Sequence, residues 1–516
     1  MATAALLEAA KPRNRTIGSK YAFICAILAS MASITLGYDI GVMSGASLYI
    51  KKDLNITDVQ VEVLIGILSL YSLIGCFAAG RTSDWIGRRF TVVFAAGFFF
   101  AGALVMGLAR DYAALMAGRF AAGVGVGYAV VIAPVYTAEM SPASARGFLT
   151  SFGEVSINLG ILLGYVSNYA FARLPLRIGW RVMLGVGAVP SVLLAFMVFG
   201  LPESPRWLVM KGRLADARVV LAKISDTPEE AEERLADIKA AAGIADDLDG
   251  DVVTVPVRSK SGGEKQVWKE LILSPTPAVR RVLLTAAGLH FFQQAAGVDS
   301  VVLYSPRVFQ SAGIADDDHL LAATCAIGVT KTLFILVATL LLDRVGRRPL
   351  LLGSAAGVAA SLVGLGTGLT VVGRRHPEDG PVTWAVGLCV ASTIAVVSFF
   401  SVGLGPVPGV YAAEIFPLRV RALGFAVCVA CNRVVSGAVS MTFLSLSSAI
   451  TIGGSFFLYA GMATLAWVLF YACLPETRGR TLEEMGELFG KTGGAAAEAG
   501  DGPSSSFRLL GSEFSV

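Results

Sequence analysis

Gly80-Arg-Thr-Ser-Asp84-Trp-Ile-Gly87-Arg88-Arg89 separates two long apolar runs, and Asp343-Arg344-Val-Gly346-Arg347-Arg348 separates two more. An arginine-rich turn between runs of roughly 20 apolar residues reads as the end of a membrane hairpin, since about 30 Å of hydrocarbon needs that length of helix. Its recurrence reads as duplication. Two further patterns recur in the same order. Pro134-Val-Tyr136-x2-Glu139-x2-Pro142-x3-Arg146-Gly147 returns as Pro408-Gly-Val-Tyr411-x2-Glu414-x2-Pro417-x3-Arg421-x2-Gly424, and Pro202-Glu203-Ser-Pro-Arg returns as Pro475-Glu476-Thr-Arg478-Gly479. The offsets, from Asp84 to Asp343, Glu139 to Glu414 and Glu203 to Glu476, are 259, 275 and 273 residues. Chance does not keep both order and spacing, so the repeat predicts two homologous halves with a site between them.

Composition agrees. The 516 residues are 55% hydrophobic and 16% charged, with a mean hydropathy of +0.68; soluble domains carry about 25% charged residues. Helices satisfy their own backbone hydrogen bonds, which lipid cannot do for them. The 57 glycines lie mostly inside the apolar runs, where they permit close helix–helix approach. The seven cysteines (Cys25, Cys76, Cys325, Cys389, Cys428, Cys431, Cys473) have no metal-ligand spacing and read as filler.

Twelve spans are expected, over residues 21–45, 60–80, 90–109, 113–136, 149–170, 182–201, 281–305, 321–342, 350–372, 383–408, 420–445 and 452–474. The predicted fold is all-α: two pseudo-symmetric six-helix halves, 21–201 and 281–474. These are flanked by tails 1–20 and 475–516 and joined by a polar stretch, 202–280, with short helices. In that stretch Pro228–Lys239 reads as an amphipathic helix and Asp246–Gly263 as linker. Arg81, Arg88, Arg89, Arg146, Arg344, Arg347, Arg348, Arg419, Arg421, Arg478 and Arg480 fall on one side. The positive-inside rule makes that side cytosolic, with both termini and the central stretch. Lys51, Lys52, Arg173, Arg177, Arg374 and Arg375 are exceptions. The sequon Asn55-Ile56-Thr57 then falls outside, and Phe98-Phe99-Phe100 reads as lipid-facing.

Charges within the spans point to function, because each costs about 2.5–3.5 kcal/mol on the insertion scale and implies a partner or a watery cavity. Six occur: Asp39, Arg119, Glu154, Asp299, Lys331 and Arg433. Asp39 sits among small residues in Gly37-Tyr-Asp39-Ile-Gly41, and Arg119 opens the fourth span. If the two meet, Arg119 holds Asp39 ionised, and loss of the contact lets it take a proton; the alternative is a static salt bridge. In the seventh span Gln293 and Gln294 precede Gly297, Asp299 and Pro306, a pattern that suggests a broken helix lining a cavity. Amides donate and accept, which suits hydroxyl-rich ligands, although they also serve in helix packing. His290, one turn earlier, reads as a packed neutral histidine or a proton carrier. The partner of Arg433 is left open, Glu154 being one choice. At the arginine-rich helix ends, Arg88, Arg89, Glu139, Arg146 and Glu203 with Arg347, Arg348, Glu414, Arg421 and Glu476 read as a charge network that closes that side in one state. The alternative is topogenic charge with helix caps.

These motifs resemble those of the major facilitator superfamily and, within it, the sugar porter family, over roughly residues 20–490. Pro202-Glu-Ser-Pro-Arg-Trp207 and Pro475-Glu-Thr-Arg-Gly479 with Gln293-Gln294-x2-Gly297 carry the family likeness. Leu36–Gly45, Leu303–Phe309 and Gly328–Phe334 are similar to plant polyol/monosaccharide transporters. The resemblance implies proton-coupled sugar or polyol symport, with Asp39 and Arg119 coupling the proton. It implies that Glu154, Gln293, Gln294, Asp299, Lys331 and Asn432 contact substrate. Departures from the hexose-carrier pattern are Glu154 for Gln, Asp299 and Lys331 each for Asn, and Gly409 for Trp. They suggest an Asp299–Lys331 pair and a wider site for open-chain ligands, including sorbitol, mannitol, xylitol and myo-inositol beside hexoses. No cofactor is expected beyond the proton as coupling ion, and the expected partners are a sugar or polyol and the lipid bilayer, without nucleic acid. A functional monomer in the plasma membrane is expected. Alternatives are a facilitative hexose uniporter, a carrier of small organic ions, a receptor on the same fold, or a membrane enzyme. No nucleophile–base cluster, metal spacing or nucleotide loop supports the last.

Overall fold

The computed structural model describes residues 17–142, 146–242, 244, 275–314, 316–374, 383–416 and 420–477. Its secondary-structure elements are helices. The first half contains α1 (Ile17–Leu54), α2 (Asp58–Ile86), α3 (Arg88–Gly107), α4 (Tyr112–Met140) and α5 (Arg146–Phe171). Its sixth span is shared by α6 (Leu176–Val186) and α7 (Ala188–Val198). Three short helices follow: α8 (Pro205–Met210), α9 (Leu214–Ile224) and α10 (Pro228–Ala242). The second half opens with α11 (Pro277–Ala295), α12 (Val298–Leu303) and α13 (Ser305–Ser311) along one span. It continues with α14 (Asp317–Val345), α15 (Arg347–Gly373), α16 (Thr383–Val402) and α17 (Val407–Ile415), then α18 (Arg421–Ile450) and α19 (Ile452–Cys473).

Among the described residues, eleven helices are long and apolar enough to cross a membrane. The seventh expected span is cut into α11–α13 and so falls short of that measure. It is the twelfth crossing. The helices outrun the expected spans: α1 starts at Ile17 and reaches Leu54, and α11 starts at Pro277. Hydropathy marks the hydrocarbon, whereas caps mark the helix. Thr276 caps α11 with Pro277 at the first position, and Thr57 forms a reciprocal capping box with Gln60 at the start of α2. Thr57 belongs to the sequon, whose Asn55 is left-handed with φ 50°. The expected linker, Asp246–Gly263, lies outside the described residues. The Phe98–Phe100 run is not uniformly lipid-facing: Phe99 is buried and Phe98 stacks on Tyr128, while Phe100 is exposed. A helical run of three must turn at least one ring inward.

Small residues set the helix spacing. A Cβ added at Gly37 would stand 1.9 Å from the Ile157 carbonyl oxygen, and one at Gly160 would stand 2.3 Å from that of Ile34. Thus α1 and α5 touch backbone to backbone. Between the halves, α2 packs on α18 and α5 on α14. Bonds across this seam include Tyr165 Oη to the Val302 carbonyl (2.9 Å) and Thr332 Oγ1 to the Asn158 carbonyl (3.3 Å). At the end of the bundle away from the paired arginine turns, Arg307 pairs with Asp58 (2.7 Å) and Arg173 with Asp318 (2.9 Å). Glu62 accepts from both the amide and the hydroxyl of Ser445, each at 2.6 Å. This far end is closed by contacts between the halves.

Candidate functional site

Arg119 is 1% exposed and Asp39 6%. The guanidinium Nη1 donates to Asp39 Oδ2 at 2.5 Å, Nε to the Leu64 carbonyl at 2.9 Å and Nη2 to the Ile65 carbonyl at 3.0 Å. The pair meets as the sequence suggested and also ties α1, α4 and α2 together. Carbonyl acceptors relieve part of the cost of burying the charge, but Asp39 is the only carboxylate that neutralises Arg119 among the described residues. A carboxylate lost by protonation would leave the arginine held by dipoles alone. Arg119 lines a central cavity, whereas Asp39 lines a separate small one of about 20 Å³ between α1, α3, α4 and the sixth span. That space accommodates one water.

The central cavity, of about 320 Å³, lies between the halves. Its wall brings together Glu154, Gln293, Gln294, Asp299, Lys331 and Asn432, the six residues expected to contact substrate, together with Gly409, expected to widen the site. Gly297, at φ +72°, interrupts the seventh span, and an added Cβ there would strike the Tyr459 ring at 2.4 Å. The break was expected from sequence. Around it the amides form a ladder. Gln293 Nε2 donates to the Gly405 carbonyl (2.9 Å), Asn432 Nδ2 to Gln293 Oε1 (2.9 Å) and Gln294 Nε2 to Asn432 Oδ1 (3.3 Å). The ladder joins α11 and α18 to the kink between α16 and α17. A hydroxylated ligand exchanges these bonds for its own, so its hydroxyls need not be paid for by stripping amides of all partners.

The charged lining differs from expectation in its pairing. Asp299 accepts from Ser436 Oγ at 2.6 Å, and no carboxylate lies within 4 Å of Lys331 among the described residues. The Asp299–Lys331 ion pair is therefore not formed in this state, and the Asp299 carboxylate takes the Ser436 hydroxyl instead. Arg433 and Glu154 likewise share the cavity without forming an ion pair. Gly409 faces open space, with nothing within 4 Å of an added Cβ, so the missing side chain does widen the cavity. His290 is buried on the wall with its ring edge-on to Phe425.

At the arginine-rich end the three repeated motifs assemble twice. Gly87 (φ +100°) and Gly346 (φ +106°) turn the chain, and the Glu203 and Glu476 carboxylates cap the helices that follow. Glu203 accepts from the Arg88 amide at 2.8 Å, and Glu476 from the Arg347 and Arg348 amides at 3.1 and 3.0 Å. The side chain of Arg88 pairs with Glu139 (3.1 Å) and that of Arg347 with Glu414 (2.9 Å). Arg89 and Arg348 donate to the Phe199 and Tyr471 carbonyls at 2.6 and 2.8 Å. Tyr136 and Tyr411 donate to the Pro202 and Pro475 carbonyls at 2.8 and 3.0 Å. Burial pushes the Glu203 carboxyl up, against the Ser204, Arg89 and Arg88 amides and the Arg88 charge. These bonds run within a half, so in this state the motifs brace each half. The side chains of Arg146 and Arg421 lie outside the described residues.

Sequence reasoning missed Glu62, which is 1% exposed in α2 and bridges to α18. It lies in the first turns of α2 after Asp58 and Gln60, where a polar residue is ordinary and gives little signal. It also missed Ser436, whose signal was its i+4 spacing from Asn432.

The family described as "Sugar (and other) transporter" matches residues 25–489. The chain is 61% identical over 480 residues to "Polyol transporter 5" of Arabidopsis thaliana, covering 93% of this chain and 88% of that protein. Among solved structures it is similar to the proton:xylose symporter XylE bound to 6-bromo-6-deoxy-D-glucose. The TM-score is 0.71 at 29% identity, covering 92% of this chain and all of that one. It is also similar to the inward open conformation of XylE from E. coli, with a TM-score of 0.73 at 26% identity over 91% of this chain and 100% of that chain.

Proposed function

The chain belongs to the sugar transporter family of the major facilitator superfamily, and we propose that it is a proton-coupled symporter of polyols and monosaccharides working by alternating access. The observation that carries the reading is the buried Asp39–Arg119 pair beside a cavity walled by the amide ladder. A carboxylate whose only counter-charge among the described residues is one arginine supplies a titratable element, and linked amides supply recognition of hydroxyls. The substrate class rests on the likeness to Polyol transporter 5, and coupling to protons on the likeness to the proton:xylose symporter.

In this reading the arginine-rich end is cytosolic, with both termini, by the positive-inside rule. The far-end bonds between halves then correspond to a state closed to the outside. Glu154, Gln293, Gln294, Asp299, Lys331 and Asn432 contact substrate, with Gly409 leaving room for it. The braced motifs, with Arg88, Arg89, Glu139 and Glu203 in one half and Arg347, Arg348, Glu414 and Glu476 in the other, let each half move as a body, and with Arg146 and Arg421 they supply the charge network that closes the cytosolic side in the alternate state. Residues 21–201 and 281–474 are those bodies. The protein acts as a monomer in the plasma membrane and needs no cofactor.

The test is uptake of labelled sorbitol, mannitol, xylitol, myo-inositol, glucose and fructose in yeast lacking its own hexose carriers, with and without protonophore. Concentrative, protonophore-sensitive polyol uptake is the expected result. Uptake insensitive to protonophore would leave a uniporter, and no uptake of any of them would defeat the reading.

A further inference from the structure

His290 is 6% exposed, and neither ring nitrogen has a well-formed hydrogen bond among the described residues, although the Gln293 amide lies within reach of the ring. A buried imidazole left in this way loses the hydrogen bonds it made to water, and buried polar groups in folded proteins seldom do so without a purpose. Packing alone does not explain it. The ring leans edge-on against Phe425, a contact that phenylalanine or leucine would make without the polar cost. Arg433 shows the same feature: its Nε is buried without a partner and the guanidinium forms no ion pair among the described residues. The amides between them behave differently, since Gln293 and Asn432 satisfy each other.

Both groups line the central cavity, and both stand next to the ladder without belonging to it. His290 precedes Gln293 by three residues and Gln294 by four, so it shares their face, about 6 Å along the axis from Gln294 toward the arginine-rich end. Arg433 follows Asn432 on a stripe with Phe425, Val429 and Ser436. The polar wall therefore runs lengthwise, from Asp299 and Ser436 past the amides to His290. A neutral imidazole offers one donor and one acceptor, and a guanidinium offers donors in a fixed fork, a set that matches vicinal hydroxyls.

We propose that His290, beyond the amide ladder, and Arg433, beside it, form a second hydroxyl-binding subsite that takes the distal end of an acyclic polyol and so sets selectivity for chain length. This rests on the reading of the protein as a polyol carrier. A chain held at Asp299, Ser436 and the amides reaches His290 only when it is long enough. A short alditol fills the ladder and stops.

The experiment is uptake by the full-length protein in proteoliposomes with an imposed pH gradient, measuring KM for erythritol, xylitol and sorbitol. His290→Phe keeps the contact with Phe425 and removes both polar atoms. It should raise KM for sorbitol about tenfold, with a smaller rise for xylitol and the smallest for erythritol. His290→Gln, which restores a donor and an acceptor, should recover most of the sorbitol affinity. Arg433→Gln should show the same gradient and carries the test if His290→Phe does not fold. A rise equal at all three chain lengths, or no rise, overturns the subsite while leaving the polyol reading intact. Wild-type protein that transports none of the three alditols overturns that reading and the subsite with it.

Discussion

The two halves of the molecule match closely at the arginine-rich end and diverge at the centre. At the end, Arg88–Glu139 and Glu203 in one half repeat as Arg347–Glu414 and Glu476 in the other, bond for bond. At the centre, Gly37-Tyr-Asp39 and Gly297-Val-Asp299 stand at nearly the offset of the arginine turns, yet they do different work. Gly37 lies in an unbroken helix that packs on α5, and Asp39 faces an arginine. Gly297 breaks its helix, and Asp299 faces a serine hydroxyl. The duplicated frame has been kept for bracing, while at its centre the first half holds a closed ion pair and the second a broken helix with linked amides.

Breaking the charged side should have the largest effect. Arg119→Leu strands a buried carboxylate and should destabilise the protein by about 3–5 kcal/mol, seen as a fall in melting temperature of the detergent-solubilised protein. Asp39→Asn keeps the shape and should abolish accumulation driven by a pH gradient while sparing counterflow exchange. Gradient-driven accumulation by that variant would remove the division between halves. Next comes the ladder. Asn432→Ala leaves Gln293 without its donor and should cost about 1–3 kcal/mol, which is roughly ten- to hundredfold in KM, with the proton requirement unchanged. A changed proton requirement would show the two functions to be mixed.

Gly409→Trp sharpens the second half further. The added ring projects into open cavity, and a loss of about 1–3 kcal/mol is expected for the bulkier ligands, read as weaker competition by myo-inositol than by xylitol. The smallest effect belongs to the far end. Asp58→Asn removes an exposed pairing with Arg307 and Lys51, about 0.2–1 kcal/mol, which 0.5 M salt should mask in exchange-rate measurements.

Much of this was legible in the sequence because membrane folding is written in length and charge. The span count, the duplication, the break at Gly297 and the meeting of Asp39 with Arg119 all followed from spacing and the cost of buried charge. Pairing was less legible. Asp299 and Lys331 are complementary in sign, but a serine one turn from Asn432 is nearer to the carboxylate, and only packing of α12 on α18 shows it. Glu62 was hidden because a polar residue near a helix start has an ordinary explanation. The arginine motifs were legible as charge pairs, but which glutamate each arginine meets was not, because sequence names the charges without saying which helices stand side by side.

The Glu203 and Glu476 caps bear on the order in which the chain is made. Each carboxylate closes the amino end of the third helix of its half, yet it lies just beyond the sixth span, 115 residues after Arg88 in one half and 129 after Arg347 in the other. During synthesis the first hairpin enters the membrane with that helix end open, and it stays open until the last span of the half has followed. Each half is thus locked by its final residues, which makes six spans, and not two, the unit that completes its assembly.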